Sequence, residues 1–141
     1  MKVAVLLAMA LIASATTASP VAADDAASKS PAMSHGWEFA EQGGADLYSH
    51  VCAGCHQADA TGAVGAGRYP PLAADEKLAS GDYVVGVLVG GLKDMPPIGA
   101  MMSDAQVADV ANYVRTHFGN AYPDAISAAD VAAARRRPSA P

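Results

Sequence analysis

Two cysteines and a histidine stand within five consecutive residues, Cys52-Ala53-Gly54-Cys55-His56. C-x-x-C-H is the spacing that attaches a c-type haem. Thiols three positions apart on one helical turn can each add to a vinyl group of the same porphyrin, and the imidazole of His56 then lies beneath the iron as its proximal ligand. The motif therefore predicts one covalently attached haem c and a role in electron transfer.

Other sites that use a C-x-x-C pair fit this sequence less well. A structural zinc site normally takes four Cys or His ligands in two pairs, and the chain has no cysteine besides Cys52 and Cys55. A thioredoxin-like dithiol follows a strand in a βαβ unit, whereas residues 44–51 predict the first turns of a helix. A thiol oxidoreductase with free cysteines stays open as an alternative.

The N-terminus predicts a secretory signal peptide over residues 1–23. Lys2 is followed by an apolar run over residues 3–13, a Ser/Thr/Ala stretch and a small-residue site that ends Val21-Ala22-Ala23. The apolar run is too short to span a bilayer stably. We therefore expect a soluble protein exported to the periplasm, with retention of the signal as a membrane anchor as the alternative.

The charge balance argues against nucleic acid as a partner. Lys and Arg number 9 and Asp and Glu number 14, which gives a formal net charge of −5 over 141 residues. The one cationic run, Arg135-Arg136-Arg137, lies near the C-terminus. Nucleic-acid binding needs a basic face, so we interpret this run as part of a solvated tail, or alternatively as a docking patch for an acidic partner.

After the signal peptide, the chain predicts one small domain with two flanking segments. Residues 24–42 form a flexible leader, residues 43–119 the domain, and residues 120–141 a C-terminal tail. Two aromatic residues of the leader, Trp37 and Phe39, are expected to pack on the domain surface. In the tail, Ser127 and Asp130 stand at the spacing of a capping box, which predicts one short helix.

Helical patterns outnumber strand patterns within the domain. Three helices are predicted, over residues 44–55, 81–89 and 103–118. A domain of this size usually needs a metal, a cofactor or disulfides for stability. We therefore expect an all-α fold in which three main helices wrap around one haem.

The last of these helices is the best marked. Ser103 with Gln106 forms a capping box at its start, and Gly119 stands just past its end. Arg115 and His117 lie in its last turn, where a positive charge interacts favourably with the helix dipole.

A glycine-rich loop is predicted over residues 61–74. Loops that wrap a porphyrin can cover one face with an apolar side chain, for which we expect Leu72, and can supply a backbone carbonyl to the proximal imidazole N–H. Proline carbonyls are free for this bond, and Pro71 is our candidate, with a simple rigid turn as the alternative. Arg68 is either the partner of a haem propionate or an exposed loop arginine.

The sixth iron ligand is sought among the methionines and histidines. Met95 stands between Gly90-Gly91 and Pro96-Pro97, which predicts that its sulfur lies on a stiff, non-helical loop that could hold it over the distal face. Methionines just before a helix are more often core residues. The other candidates are Met33, Met101, Met102, His35, His50 and His117.

Taken in order, these motifs resemble a monohaem class I cytochrome c. The matching segments are residues 52–56, 70–72, 91–97, 103–108 and 113–115. The resemblance implies that Met95 is the distal iron ligand and that the carbonyl of Pro71 accepts the N–H of His56. It also implies that the first and last helices cross through a glycine and aromatic side chains: Gly44, Tyr48 and Tyr113.

The end of the domain carries a finer resemblance. Residues 113–120 followed by residues 123–131 are similar to the end of cytochrome c subunits or domains that serve periplasmic dehydrogenases. This implies a non-catalytic protein that accepts electrons from a quinoprotein, flavoprotein or molybdenum dehydrogenase and passes them to a downstream oxidase or cytochrome of the respiratory chain. The partner would dock at a haem edge ringed by Ala53, Gly54 and the loop over residues 61–67. A haem peroxidase or a gas-binding sensor with an open sixth site is the alternative.

Overall fold

The helix that carries the C-x-x-C-H motif is built from three consecutive pieces in the computed structural model, which describes residues 37–65 and 67–137. The pieces are α1 (Gly44–Leu47), a π-helical turn (Tyr48–Cys52) and α2 (Ala53–His56). Gln57 ends the helix with a positive φ of 69° and an extended ψ of 158°. The predicted helix over residues 44–55 is confirmed, and the signal peptide with most of the leader lies outside the described residues.

The segment predicted as a glycine-rich loop contains a short antiparallel ladder. Strand β1 (Ala63–Val64) pairs with β2 (Arg68–Tyr69), with Ala63 opposite Tyr69. A 3-10 turn follows at Glu76–Ala79. The ladder has two residues in each strand, which is too short to show a strand pattern in the sequence. After β2, the chain returns to the attachment helix at Pro70.

Side-chain caps mark the starts of the remaining helices. The helices are α3 (Gly81–Gly90), α4 (Asp104–Thr116) and α5 (Ala128–Arg135), and a 3-10 turn, Ile98–Met101, lies between the first two. Both bonds of the predicted capping box are present at Ser103 of α4 and at Ser127 of α5. The predicted helices of the domain and of the tail are therefore confirmed.

Helices α1 and α4 cross at a glycine. A Cβ atom built on Gly44 would lie 2.4 Å from the carbonyl oxygen of Asp109 and 2.4 Å from the Cβ of Tyr113. The rings of Tyr48 and Tyr113 lie 5.7 Å apart beside this crossing. The crossing that the resemblance implies is therefore present, and it holds the start of the attachment helix against α4.

The C-terminal segment belongs to the same packing as the domain. Val131 of α5 is fully buried, and Ile126 is 9% exposed. The buried side chains of α1, α3, α4 and α5 form one core cluster. The boundary expected at Gly119 is therefore not a break in the packing, because α5 covers part of the face of α4.

Arg115 has a packing role that the sequence analysis did not predict. The sequence placed it in the last turn of the helix, and in the structure its side chain is fully buried. Its Nε donates to the carbonyl of Leu78 at 2.8 Å, and its Nη2 donates to the carbonyl of Ala79 at 3.1 Å and to Asp124 Oδ1 at 2.7 Å. The guanidinium thus joins α4 to two segments distant in the chain.

The end of the expected leader is held on the domain. The amide of Phe39 donates to the carbonyl of Met101 at 3.1 Å, and the side-chain amide of Gln106 donates to the carbonyls of Phe39 and Glu41 at 2.8 and 2.9 Å. Phe39 packs against the core as predicted, whereas Trp37 is 86% exposed and does not pack as predicted. Within the described residues, no helix has the length and apolar character needed to cross a membrane.

Candidate haem site

The two cysteines of the motif lie on one turn but differ in exposure. Cys52 ends the π-helical turn and is 8% exposed, while Cys55 in α2 is exposed. Burial, with a smaller contribution from Cys55, raises the pKa of the Cys52 thiol to about 12. A redox dithiol works through a thiolate of lowered pKa, so this environment argues against the thiol oxidoreductase alternative.

The imidazole of His56 is held in one orientation. It is 7% exposed, and its Nδ1 lies 2.9 Å from the carbonyl oxygen of Pro70. A carbonyl can only accept a hydrogen bond, so Nδ1 carries the proton. The lone pair of Nε2 is then free for a metal, and the Pro70 carbonyl fixes both the tautomer and the ring orientation.

The prediction that Pro71 supplies this carbonyl was wrong by one residue. Successive carbonyls along an extended segment point in different directions, and a residue that precedes a proline is held extended. The β1–β2 register brings the chain in through Tyr69 so that the Pro70 carbonyl faces His56. The amides of Leu72 and Ala73 then both donate to the carbonyl of Ala60, at 2.8 and 3.0 Å.

The other two predicted residues of this loop have different environments. Leu72 is partly buried and packs against the core cluster that contains Cys52. Arg68 is exposed on β2, where it stands opposite Val64. Covering of a haem face by Leu72 and pairing of Arg68 with a propionate both stay predictions.

An asparagine that the sequence analysis did not single out fixes the same loop. Asn120 is 6% exposed; its Nδ2 donates to the carbonyls of Leu72 and Val114 at 2.8 and 2.7 Å, and its Oδ1 accepts from the amide of Asp75 at 3.0 Å. It thereby ties the end of α4 to the loop that carries Pro70. In the sequence, an asparagine after Gly119 indicates only a turn at the end of a helix.

Met95 lies on a tight, non-helical turn, as its surroundings in the sequence predict. The backbones of Leu92 and Met95 exchange two hydrogen bonds, each 3.0 Å long. Gly91 enters this turn with φ of 74°, and a Cβ built on it would lie 2.8 Å from the carbonyl oxygen of Met95. The Met95 side chain is partly buried against the core cluster. The turn therefore fixes the residue whose sulfur is the predicted distal ligand.

The competing ligand candidates within the described residues have other surroundings. Met102 is 6% exposed and belongs to the core cluster. His50 is exposed and lies 3.7 Å from a carboxylate oxygen of Glu41. His117 is exposed and stacks on Tyr113 with ring centroids 4.0 Å apart. His35 and Met33 lie outside the described residues.

The donor set fits a c-type haem. The chain presents two thiols on one turn, an adjacent imidazole with its free nitrogen at Nε2, and a thioether on a turn held by backbone hydrogen bonds. Imidazole and thioether are the axial ligands of haem iron in cytochromes c.

Comparison with known proteins identifies the family of this chain. Residues 39–114, more than half of the chain, match the family described as cytochrome c oxidase, cbb3-type, subunit III. The chain belongs to this family of cytochrome c domains. Membership implies a covalently bound haem c and electron transfer through it, and it confirms the predicted resemblance to cytochromes c.

The relatives that this chain resembles include long dehydrogenase subunits and one shorter cytochrome. The chain is 36% identical over 101 residues to the cytochrome c subunit of alcohol dehydrogenase (quinone) from Gluconacetobacter polyoxogenes, which covers 62% of this chain and 21% of that protein. It is 37% identical over 93 residues to the fructose dehydrogenase cytochrome subunit of Gluconobacter japonicus, covering 55% and 19%. It is also 36% identical over 102 residues to cytochrome c-552 of Thermus thermophilus, covering 61% and 67%. The chain thus spans about a fifth of the length of the dehydrogenase subunits that it matches.

Proposed function

We propose that the protein is a periplasmic electron carrier or electron-transfer subunit with a single haem c, attached through Cys52 and Cys55 and ligated by His56 and Met95. One observation carries this proposal: the buried imidazole next to the two thiols is oriented by the Pro70 carbonyl with Nε2 left for the iron. The predicted signal peptide over residues 1–23 supports export. The attachment helix, α3 and α4 would enclose the haem.

The chain's own residues hold the site in one arrangement during electron transfer. The haem, when bound, supplies a reversible one-electron couple between Fe(II) and Fe(III). His56 stays oriented by its bond to Pro70, and the two hydrogen bonds between Leu92 and Met95 hold the backbone that carries the thioether. With His56 and Met95 both bound to the iron, no coordination position would be left open for a substrate, and the thioether would raise the reduction potential.

We infer that the electron donor is a dehydrogenase and that the acceptor is a downstream oxidase or cytochrome of the respiratory chain. Relatives named as cytochrome subunits of alcohol and fructose dehydrogenases support the donor class. The docking surface would be the haem edge beside the exposed Cys55 and Gly54. Val64, which is 86% exposed at the β1–β2 ladder, would offer the partner an apolar contact.

A visible spectrum of the matured protein tests the proposal. Reduced-minus-oxidised spectra are recorded with and without carbon monoxide, on the parent, on Met95→Ala and on Met101→Ala as the matched control. We expect sharp low-spin bands, no reaction with carbon monoxide, and a weak far-red sulfur–iron band in the oxidised protein that Met95→Ala alone removes.

Each other outcome points to a different function. If the parent binds carbon monoxide readily, the sixth site is open, and a haem peroxidase or gas-binding sensor replaces the electron carrier. If the far-red band survives Met95→Ala and is lost in Met101→Ala, the distal ligand is Met101. If the matured protein is colourless and both cysteines react with thiol reagents, the haem site itself is refuted.

A further inference from the structure

A buried tyrosine is hydrogen-bonded to the residue that follows the proposed proximal histidine. Tyr48 is the first residue of the π-helical turn and is 2% exposed. Its hydroxyl donates a hydrogen bond of 2.7 Å to the carbonyl oxygen of Gln57. Gln57 is the residue that follows His56, so this bond spans the whole attachment motif from its first turn to its end.

The ring of Tyr48 packs against two aromatic side chains, one in α4 and one just after it. Its centroid lies 4.6 Å from that of Phe118 and 5.7 Å from that of Tyr113. Aromatic pairs at these distances stabilise a fold by more than the burial of their apolar area alone. The hydroxyl therefore stands at a position that the crossing of the two helices determines.

The peptide that Tyr48 contacts is an unusual one. Gln57 has φ of 69°, a conformation that is strained for a residue with a side chain and that persists only when its surroundings hold it. Around it, the amide of Gln57 donates to Ala53, and the amide of Gly62 donates to the carbonyl of His56, both at 2.9 Å. The Gln57 carbonyl accepts two hydrogen bonds, from the Tyr48 hydroxyl at 2.7 Å and from the amide of Ala60 at 3.1 Å. The shorter of the two comes from Tyr48, the partner more distant in the chain.

We propose that Tyr48 is a positioning residue for the proximal ligand: its hydroxyl holds the Gln57 peptide, and through it fixes the backbone from which the His56 imidazole reaches the iron. This role adds to the packing role of the ring. It rests on the proposed haem site, since His56 must be an iron ligand for its orientation to matter.

The hydroxyl is suited to this task because it keeps its proton. Burial is the largest cause that raises the pKa of Tyr48 to about 12, so the group remains a donor throughout the physiological range. A π-helical turn is also a feature often found next to functional sites, and here it ends at the first haem-attaching cysteine, Cys52.

The test compares Tyr48→Phe with Tyr113→Phe in the haem-loaded protein. Each variant removes one hydroxyl from the same ring cluster and keeps both rings. Amide hydrogen exchange is followed by NMR at Gln57 and Gly62, with Val110 in α4 as an internal reference for global opening. The haem methyl shifts of the oxidised protein are recorded as well, because they report the orientation of the axial ligands.

We expect Tyr48→Phe to speed exchange at Gln57 and Gly62 by about tenfold relative to Val110. This is the effect expected when one buried hydrogen bond is lost. The haem methyl shifts should change in the same variant. Tyr113→Phe should leave both measurements at the parent values. Equal effects of the two variants, or exchange that rises uniformly at all three amides, would reduce Tyr48 to a packing residue.

Two further outcomes separate this inference from the proposed function. If Tyr48→Phe does not mature, the parent is used instead: a slowly exchanging hydroxyl proton of Tyr48 coupled to the Gln57 carbonyl carbon is expected, and its absence overturns the inference. A colourless parent overturns the haem site and this role together. A low-spin parent with unchanged exchange in Tyr48→Phe overturns the positioning role alone.

Discussion

The guanidinium of Arg115 holds Asp124 from a fully buried position, with Nη2 2.7 Å from the carboxylate Oδ1. The Asp124 side chain, by contrast, is 71% exposed. A buried charge is tolerated when it is paired and fully hydrogen-bonded, and the additional bonds to Leu78 and Ala79 meet that condition. One side chain therefore fastens the segment before α5 and the 3-10 turn before α3 onto α4.

Replacing Arg115 should destabilise the fold strongly. Arg115→Met keeps an apolar stem of similar length but leaves the carbonyls of Leu78 and Ala79 without this donor. We expect the free energy of unfolding of the haem-loaded protein to fall by about 2–4 kcal/mol, measured by urea denaturation. Asp124→Asn is the control. It should lose only a small part of that free energy, because the Asp124 side chain faces solvent. Equal losses in the two variants would show that the exposed carboxylate, not the buried bonds, carries the effect.

Stability should fall in acid. The hydrogen bond from Arg115 lowers the pKa of Asp124, and the hydrogen bond from Ser127 lowers the pKa of Asp130. A carboxyl whose folded pKa lies below its unfolded value stabilises the fold above that unfolded value, and the contribution is lost as the pH falls through the folded pKa. We expect the free energy of unfolding to decline below about pH 4.

Asp124→Asn should flatten that decline, and urea denaturation at several pH values between about 2 and 6 measures it. The control is Asp94→Asn, which changes an exposed loop carboxylate. If the free energy of unfolding falls equally in acid in the parent and in Asp124→Asn, Asp124 does not contribute to the pH dependence of stability.

The turn that carries Met95 should depend on Gly91 and not on its neighbour. A Cβ on Gly91 would lie 2.8 Å from the Met95 carbonyl at a backbone φ of 74°, whereas a Cβ on Gly90 meets nothing within 4 Å. Gly91→Ala should therefore weaken the far-red sulfur–iron band and let added imidazole displace the thioether about tenfold more readily, the effect of about 1–2 kcal/mol of strain. Gly90→Ala should keep the parent band and affinity. A retained band in Gly91→Ala would mean that the turn does not determine ligation.

The crossing of α1 and α4 should tolerate no side chain at Gly44. Gly44→Ala would bring a Cβ to 2.4 Å from the Asp109 carbonyl oxygen, so the helices must separate at a cost of about 1–3 kcal/mol. Gly86 in α3 has no atom within 4 Å of its built Cβ, and Gly86→Ala should stabilise the helix by about 0.5–1 kcal/mol. Thermal unfolding of both variants measures these opposite shifts, and a shift of the same sign in both would refute the crossing.

Local interactions account for the features that the sequence predicted well. The capping boxes at Ser103 and Ser127 involve residues three positions apart, and the Met95 turn follows from the glycines and prolines that flank it. The C-x-x-C-H motif is likewise complete within five residues. Each of these patterns depends on chemistry between near neighbours, which a sequence displays directly.

Residue types and their spacing were thus enough to predict the helices, the capping boxes at Ser103 and Ser127, and the class of protein. The contacts between distant segments were visible only in the folded chain. Pro70, not Pro71, faces His56 across 14 positions, and Asn120 reaches Leu72 across 48 positions. Arg115 is likewise buried against Leu78, 37 positions away, and residues after Gly119 belong to the core. The physical reason is that these contacts depend on how helices pack and which carbonyl a returning chain presents, and no local pattern of residue types encodes either one.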